Sequence, residues 1–196
     1  KLGSNFAKKN DINNITFVRG DIFDEIFLDQ VFDHVITNGV LHHTGDAKKA
    51  FNKVCLPLKK DGYIFLGLYN RYGRIRTIIR KYLYKILGKK ILFILDPVLR
   101  RTPKDATGKI DAWIKDQYLH PVESLHTFDE VLDWFKNNNI DFISSIPKSN
   151  PYESIGDHPF LKQSQGSVSD RIFSQIRLSS KEIRLINNRC LATIGI

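Results

Sequence analysis

The sequence predicts an α/β protein with a mostly parallel sheet and flanking helices, and three observations lead there. Phe32-Asp33-His34-Val35-Ile36-Thr37 is a β-prone run that ends at Asn38-Gly39. Ala47, Ala50, Phe51, Val54, Cys55 and Leu58 then recur at three- and four-residue steps as one apolar helical face, with Asp46 placed to cap it. Tyr63-Ile64-Phe65-Leu66-Gly67-Leu68-Tyr69 is apolar almost without interruption, as a strand covered on both faces should be. Strand, helix, strand in that order calls for a right-handed crossover between parallel neighbours. Such sheets take their ligands beyond the carboxyl ends of the strands.

Upstream, Lys1 to Asn10 reads as a helix already under way, with Leu2 and Phe6 on one face and Asn10 and Asn13-Asn14 stopping it. The chain holds no methionine, and a beginning that lies before Lys1 explains this opening best. Ile15-Thr16-Phe17-Val18 is a further candidate strand, ending at Arg19-Gly20-Asp21. With 196 residues, 42% of them apolar and 26% charged, the chain can bury one substantial core. Two cysteines are too few for a disulfide scaffold, and Cys55 and Cys190 both read as reduced core residues. The opening has no secretory pattern and no apolar run has the length of a membrane span, so a cytoplasmic protein is expected.

The formal charge of +9 is concentrated. Residues 71 to 109 hold twelve Arg or Lys against only Asp96 and Asp105, while the rest of the chain is near neutral. Within this segment Ile75, Ile78, Ile79, Tyr82, Leu83, Ile86 and Leu87 make one apolar helical stripe, with Arg76, Arg80, Lys81 and Lys85 mainly off it. Three roles fit such a helix: a cover over the cleft with a solvated basic side, a helix lying on an anionic membrane or serving a lipid-linked acceptor, and a nucleic-acid contact. No nucleic-acid motif supports the third. Ile91 to Leu95 is another apolar stretch, closed by Asp96-Pro97, and residues 100 to 109 read as an exposed loop. Thr127-Phe128-Asp129-Glu130 fits a capping box at the start of a helix, Ile140 to Ile146 a strand, Ile172 to Ile186 a partial helix and Arg189 to Ile196 a last strand.

Phe17-Val18-Arg19-Gly20-Asp21-Ile22, then Phe32 to His43, then Leu58-Lys59-Lys60-Asp61-Gly62-Tyr63-Ile64 together resemble the class I S-adenosylmethionine-dependent methyltransferases, most of all their small-molecule branch. The resemblance covers residues 1 to 69. It implies a Rossmann-like methyltransferase fold whose first two strands and glycine-rich loop are missing from this chain, with a helical insertion after residue 70. On this reading residues 1–69 are the surviving core, 70–126 the basic insertion and substrate cover, and 127–196 the remainder of the same domain.

The resemblance implies S-adenosylmethionine as cofactor. Asp21 would accept a hydrogen bond from the adenine amine, with Ile22 packed on the ring, unless Asp21 caps the turn that follows. Asn38, Gly39 and Val40 would approach the methionine portion, Gly39 allowing close backbone contact. His42 and His43 are candidate general bases, since histidine titrates near neutrality, or else pocket lining. Tyr69, Asn70, Arg71 and Arg74 follow the most apolar strand. A guanidinium there could hold an acceptor carboxylate or phosphate, or the loop could simply be solvated. His120, Glu123 and His126 complete the candidate substrate residues, in a loop able to close over the cleft. Their spacing matches no familiar zinc pattern, so no metal is expected.

Methyl transfer to an oxygen, nitrogen or carbon nucleophile of a small or lipid-linked acceptor is therefore the leading expectation. A noncatalytic module that presents its basic surface to an anionic partner is the competing one, because fold alone does not imply activity. Nicotinamide-dependent redox chemistry finds no G-x-G-x-x-G support. Without the glycine-rich loop, the 196 residues alone are expected to bind the donor weakly or not at all. Calorimetry beside an amino-terminally extended protein checks this; equal affinities would overturn it.

Overall fold

A four-stranded sheet of order β1-β2-β4-β3 forms the centre of the computed structural model, which describes residues 2–154, 161–181 and 191–195. The strands are β1 (Phe32–Asn38), β2 (Leu58–Leu68), β3 (Phe142–Ile146) and β4 (Leu191–Gly195). β1 and β2 pair in parallel, while β4 runs antiparallel to both β2 and β3. Three strands therefore share one direction and the fourth is wedged between two of them. The α/β class expected from the sequence is the class observed.

The crossover from β1 to β2 is α2 (Ala47–Cys55). Asp46 caps it as expected, accepting the Lys49 N–H at 2.9 Å. Ala47, Ala50 and Phe51 are buried against Ile64, Leu66 and Leu68 of β2. Phe51 also stacks on Phe135, 5.6 Å between ring centroids. β2 begins before Tyr63. Leu58 already pairs with Phe32, and the register then jumps so that His34 meets Tyr63. Lys60-Asp61-Gly62 thus form a bulge inside the strand, with Asp61 at φ 63°.

The expected strand at residues 15–18 does not form; residues 12–31 carry no ladder. Ile15, Phe17 and Val18 remain about half exposed. Phe17 instead lies across Gly3 of α1 (Leu2–Lys9), where an added Cβ would meet its ring at 2.8 Å. A strand persists only where a neighbour takes its backbone hydrogen bonds, and β1 is left as an edge among the described residues.

The segment after β2 is helical: α3 (Ile75–Leu87), α4 (Lys90–Leu95), α5 (Pro97–Arg101) and α6 (Thr107–Tyr118). The expected loop at 100–109 is therefore shorter than read, because α6 already starts at Thr107. These helices have a small core of their own, Leu92, Leu99, Ile110, Ile114 and Tyr118, with Trp113 and Tyr84 at its border. α3 is docked the opposite way from the expectation. Thr77 is its buried residue and Ile78 and Leu83 of the expected stripe are half-buried, whereas Ile75, Ile79, Tyr82, Ile86 and Leu87 face outward.

α7 (Phe128–Asn137) carries the expected capping box. Glu130 N–H donates to Thr127 Oγ1, and Thr127 N–H donates to Glu130 Oε2 at 2.7 Å. α8 (Val168–Lys181) packs beside it and precedes β4. Cys55 is a free thiol whose burial pushes its pKa up to about 12, which makes it an inert core residue. Cys190 lies outside the described residues. No helix among the described residues is long and apolar enough to cross a membrane.

Asp96 organises the helical segment. It is 2% exposed, caps α5 through the Val98 and Leu99 N–H groups, and accepts Trp113 Nε1–H at 2.8 Å and Tyr118 Oη–H at 2.6 Å. Asp96→Ala would remove a cap and strand the buried Tyr118 donor and the half-buried Trp113 donor, an expected loss of about 2–4 kcal/mol. Urea unfolding followed by tryptophan fluorescence measures it, with Asp96→Asn expected to fall in between.

Candidate functional site

The turn after β1 and the turn after β2 lie side by side at the carboxyl end of the parallel pair. Asn38 pairs with Gly67 across the two strands, and Gly39 N–H donates to the Gly67 carbonyl at 3.0 Å. Glycine at 67 leaves room for the Asn38 side chain, since a Cβ would come within 2.2 Å of Asn38 Oδ1 and displace it. Gly39 has φ 75° and open space where a Cβ would point, while Val40 is half exposed. At Gly39 the chain thus turns away from β1 with no side chain over its backbone.

Beyond it a 3-10 turn, Leu41–His43, drives His42 into the interior. His42 is fully buried and stacks on Tyr69 with ring centroids 3.9 Å apart. The Arg74 guanidinium covers the same tyrosine ring, 3.9 Å from its centroid. Arg74 is itself buried and pairs with Glu123 at 2.9 Å, with Lys81 Nζ a further 4.0 Å contact to that carboxylate. The solvated-loop reading of Arg74 therefore does not hold: at the start of α3 it turns inward, and its guanidinium is paired with Glu123. Arg71 stays half exposed, with Glu130 at 3.6 Å and the Leu125 carbonyl as acceptor.

His43 differs from its neighbour. Its Nδ1 lies 3.1 Å from the Val122 carbonyl, which can only accept, so Nδ1 is the donor there and Nε2 points away from that bond. Its ring meets His120 at 4.1 Å. His126 sits apart, 2.8 Å from Ser124 Oγ through Nε2 and edge-on to Trp134. The three residues of the 120–126 pattern thus turn to three different partners. The described residues contain no group of three or more metal-ligating side chains suited to an ion.

Asn70 has a structural task. It is 2% exposed, donates to Gln175 Oε1 at 2.8 Å and accepts from Gly73 N–H, while residues 69–71 bridge in parallel to His126. Gln175 also accepts the Phe128 N–H, so one buried amide ties the end of β2 to α7 and α8. Sequence reasoning passed over Gln175, since a glutamine within an amphipathic helix carries no mark of its long-range partners. Gly67 was readable only once its facing residue was known.

Asp21 and Ile22 lie in the segment before β1. With Phe27, Phe32, Val35 and Leu56 they line an apolar cavity of about 300 Å³. Asp21 also accepts the Phe23 N–H at 3.0 Å, the turn-capping role weighed above. Asn38, Gly39 and Val40 are not among the residues that line this cavity.

Burial lowers the His42 pKa from the ordinary 6.5 to about 3, with His43 and Arg74 adding like-charge repulsion. His42 is therefore neutral in the folded state. Below pH 6.5 the unfolded chain binds a proton that the folded one refuses, so stability declines as pH falls towards 3. His42→Phe is expected to flatten this decline, by up to about 1.4 kcal/mol per pH unit for one proton. Urea midpoints measured from pH 7 to 4 give the slope; parallel slopes for both proteins would refute the assignment.

Known proteins sharpen this picture. Residues 2–81 match a family model described as a methyltransferase domain. A curated relative, the histidine protein methyltransferase 1 homolog of Dictyostelium discoideum, is 30% identical over 83 residues, which cover 40% of this chain and 27% of the relative. The matched stretch thus spans about a quarter of that protein's length. Among solved structures, Rickettsia typhi PKMT2 in complex with AdoHcy aligns with 99% of this chain and 41% of its own at TM-score 0.59 and 16% identity. A chain of the Haloferax volcanii complex that contains the Trm112 methyltransferase activator aligns with 98% of this chain and 66% of its own, at TM-score 0.52 and 12% identity. These structural likenesses show the fold. The family model likens residues 2–81 to methyltransferase domains, and the fold shared with these structures is Rossmann-like.

Proposed function

We propose that the intact protein is a cytoplasmic enzyme that transfers a methyl group from S-adenosylmethionine to a nucleophilic oxygen, nitrogen or carbon of a small or lipid-linked acceptor. One observation carries the reading. The carboxyl ends of β1 and β2 bring the open backbone at Gly39 beside the His43 and Tyr69 rings, at the end of the sheet where such folds take ligands. The family match at residues 2–81 supports the same chemistry.

The residues present fit parts of the donor. Asp21 offers an exposed carboxylate to an amine, beside an apolar cavity that Ile22 lines, and Gly39 leaves backbone open to a polar chain. When bound, the donor supplies a methyl group activated by a positively charged sulfur, which leaves with the electron pair of the broken bond. An acceptor nucleophile aligned there would give up its proton to His43 Nε2 or to water. His42, held neutral and buried, serves by stacking on Tyr69, and Arg74 with Glu123 fixes that ring from its guanidinium side. The chain's contribution is alignment and exclusion of water.

Calorimetry with S-adenosylhomocysteine on the intact protein, and a labelled-methyl screen of acceptors, test the reading. Asp21→Ala is expected to weaken product binding about tenfold. His43→Ala is expected to lower kcat about a hundredfold without changing that affinity. An intact protein that ignores the donor while still binding anions would favour the noncatalytic module instead.

A further inference from the structure

α3 presents an apolar stripe to the outside. Ile75, Ile79, Tyr82 and Ile86 follow one another at i, i+4, i+7 and i+11 and are 41%, 53%, 63% and 78% exposed. The inward side of the helix is the polar one. Arg74 and Lys81 both reach Glu123, Thr77 is buried, and Tyr84 borders the Leu92–Tyr118 core. Amphipathic helices on soluble domains dock with the opposite polarity. The arrangement continues past the helix, where Leu87, Ile94 and Leu95 are also exposed.

The charge around the stripe indicates what covers it. On a helical wheel Arg76 falls on one side of the Ile75–Ile86 line and Lys85 on the other, and Lys85 Nζ stands 5.9 Å from the centre of the Tyr82 ring. Lys89, Lys90, Arg100, Arg101 and Lys104 follow on exposed positions. A second copy on this face would set one strongly basic segment against another, since a two-fold contact presents the same patch to itself. A nucleic acid would meet aliphatic side chains where it needs cations. An anionic lipid surface satisfies both halves at once, taking the aliphatic side chains at the acyl boundary and the flanking cations at the headgroups, with a tyrosine at the interface.

We propose that α3 is an interfacial helix that seats the protein on anionic bilayers through Ile75, Ile79, Tyr82 and Ile86, with Arg76 and Lys85 engaging headgroups. The inference does not depend on methyl transfer. A protein that binds vesicles but no donor would leave it standing, and the reverse result would remove it alone.

Co-sedimentation of the intact protein with phosphatidylcholine vesicles and with phosphatidylcholine–phosphatidylglycerol vesicles tests it. Binding is expected with the mixed vesicles, weakening with added salt. The triple variant Ile79→Ser, Tyr82→Ser, Ile86→Ser and the pair Arg76→Glu, Lys85→Glu are each expected to lose at least about tenfold, with circular dichroism unchanged. Should a variant fail to fold, Tyr82→Trp supplies an independent reading, since its emission should shift to the blue on anionic vesicles and stay unshifted on neutral ones. No binding to mixed vesicles, equal binding by the triple variant, or an unshifted Tyr82→Trp emission would each overturn the proposal. So would a dimer in sedimentation analysis that the triple variant converts to monomer, because a second copy would then be what covers the stripe.

Discussion

The ion pair between Arg74 and Glu123 is the constraint on which both faces of the helical segment depend. Arg74 stands where β2 has ended and α3 begins, and Glu123 lies in the loop before α7. Once Glu123 is buried, its charge has to be met, because an isolated carboxylate in a dry interior is costly. Arg74 meets it at 2.9 Å and Lys81, two turns along the helix, comes within 4.0 Å. Residues at i and i+7 share a side of a helix, so two contacts to one carboxylate fix the rotation of α3. The polar side turns inward and the stripe from Ile75 to Ile86 turns out. The same guanidinium covers Tyr69, whose other neighbour is His42, so the pair also sets the ring stack at the end of β2.

Much of the fold was legible because its signals are local. The Asp46 cap, the apolar period of α2 from Ala47 to Cys55 and the Thr127–Glu130 box each depend on residues within a few positions of one another and form as read, while Leu58, read as the end of that helical face, instead opens β2, and the apolar run follows a bulge. Residues 15–18 show the limit. Their composition is that of a strand, but strand formation is settled by a neighbour, and Phe17 packs on Gly3 instead. α3 shows another. Its periodicity announced a stripe correctly, while the direction of that stripe was decided by Glu123, nearly fifty positions from the helix's first turn. Hydrophobic pattern predicts burial only when no stronger polar demand competes for the same interface.

The candidate site was legible by position more than by role. The ends of β1 and β2 lie within a residue of where the sequence puts them, so the turns that carry Asn38 to His43 and Tyr69 to Arg74 adjoin, whereas the strand expected before Asp21 does not form. Their roles separate by burial. His42 and His43 are adjacent and chemically identical, yet one is sealed with a depressed pKa and the other keeps a ring nitrogen available. Asn70 looked like a ligand contact, but its amide is consumed by Gln175 and Gly73. Nothing near Asn70 in the sequence announces a partner in α8.

Buried ion pairs seldom add net stability, since desolvating two charges offsets most of their attraction, and a hydrophobic replacement of similar volume is often as stable. What such a pair can contribute is orientation. An apolar substitute for Glu123 would let α3 turn its aliphatic stripe inward, the more favourable burial for an isolated amphipathic helix. The Glu123 contacts hold it the other way, at the expense of leaving Ile79, Tyr82 and Ile86 in water. Exposing that much apolar surface is unfavourable unless something covers it. The helix that carries this exposure also starts at Arg74, beside the Tyr69 ring. Any surface that covers the stripe therefore holds the element whose first turn closes one side of the candidate acceptor site.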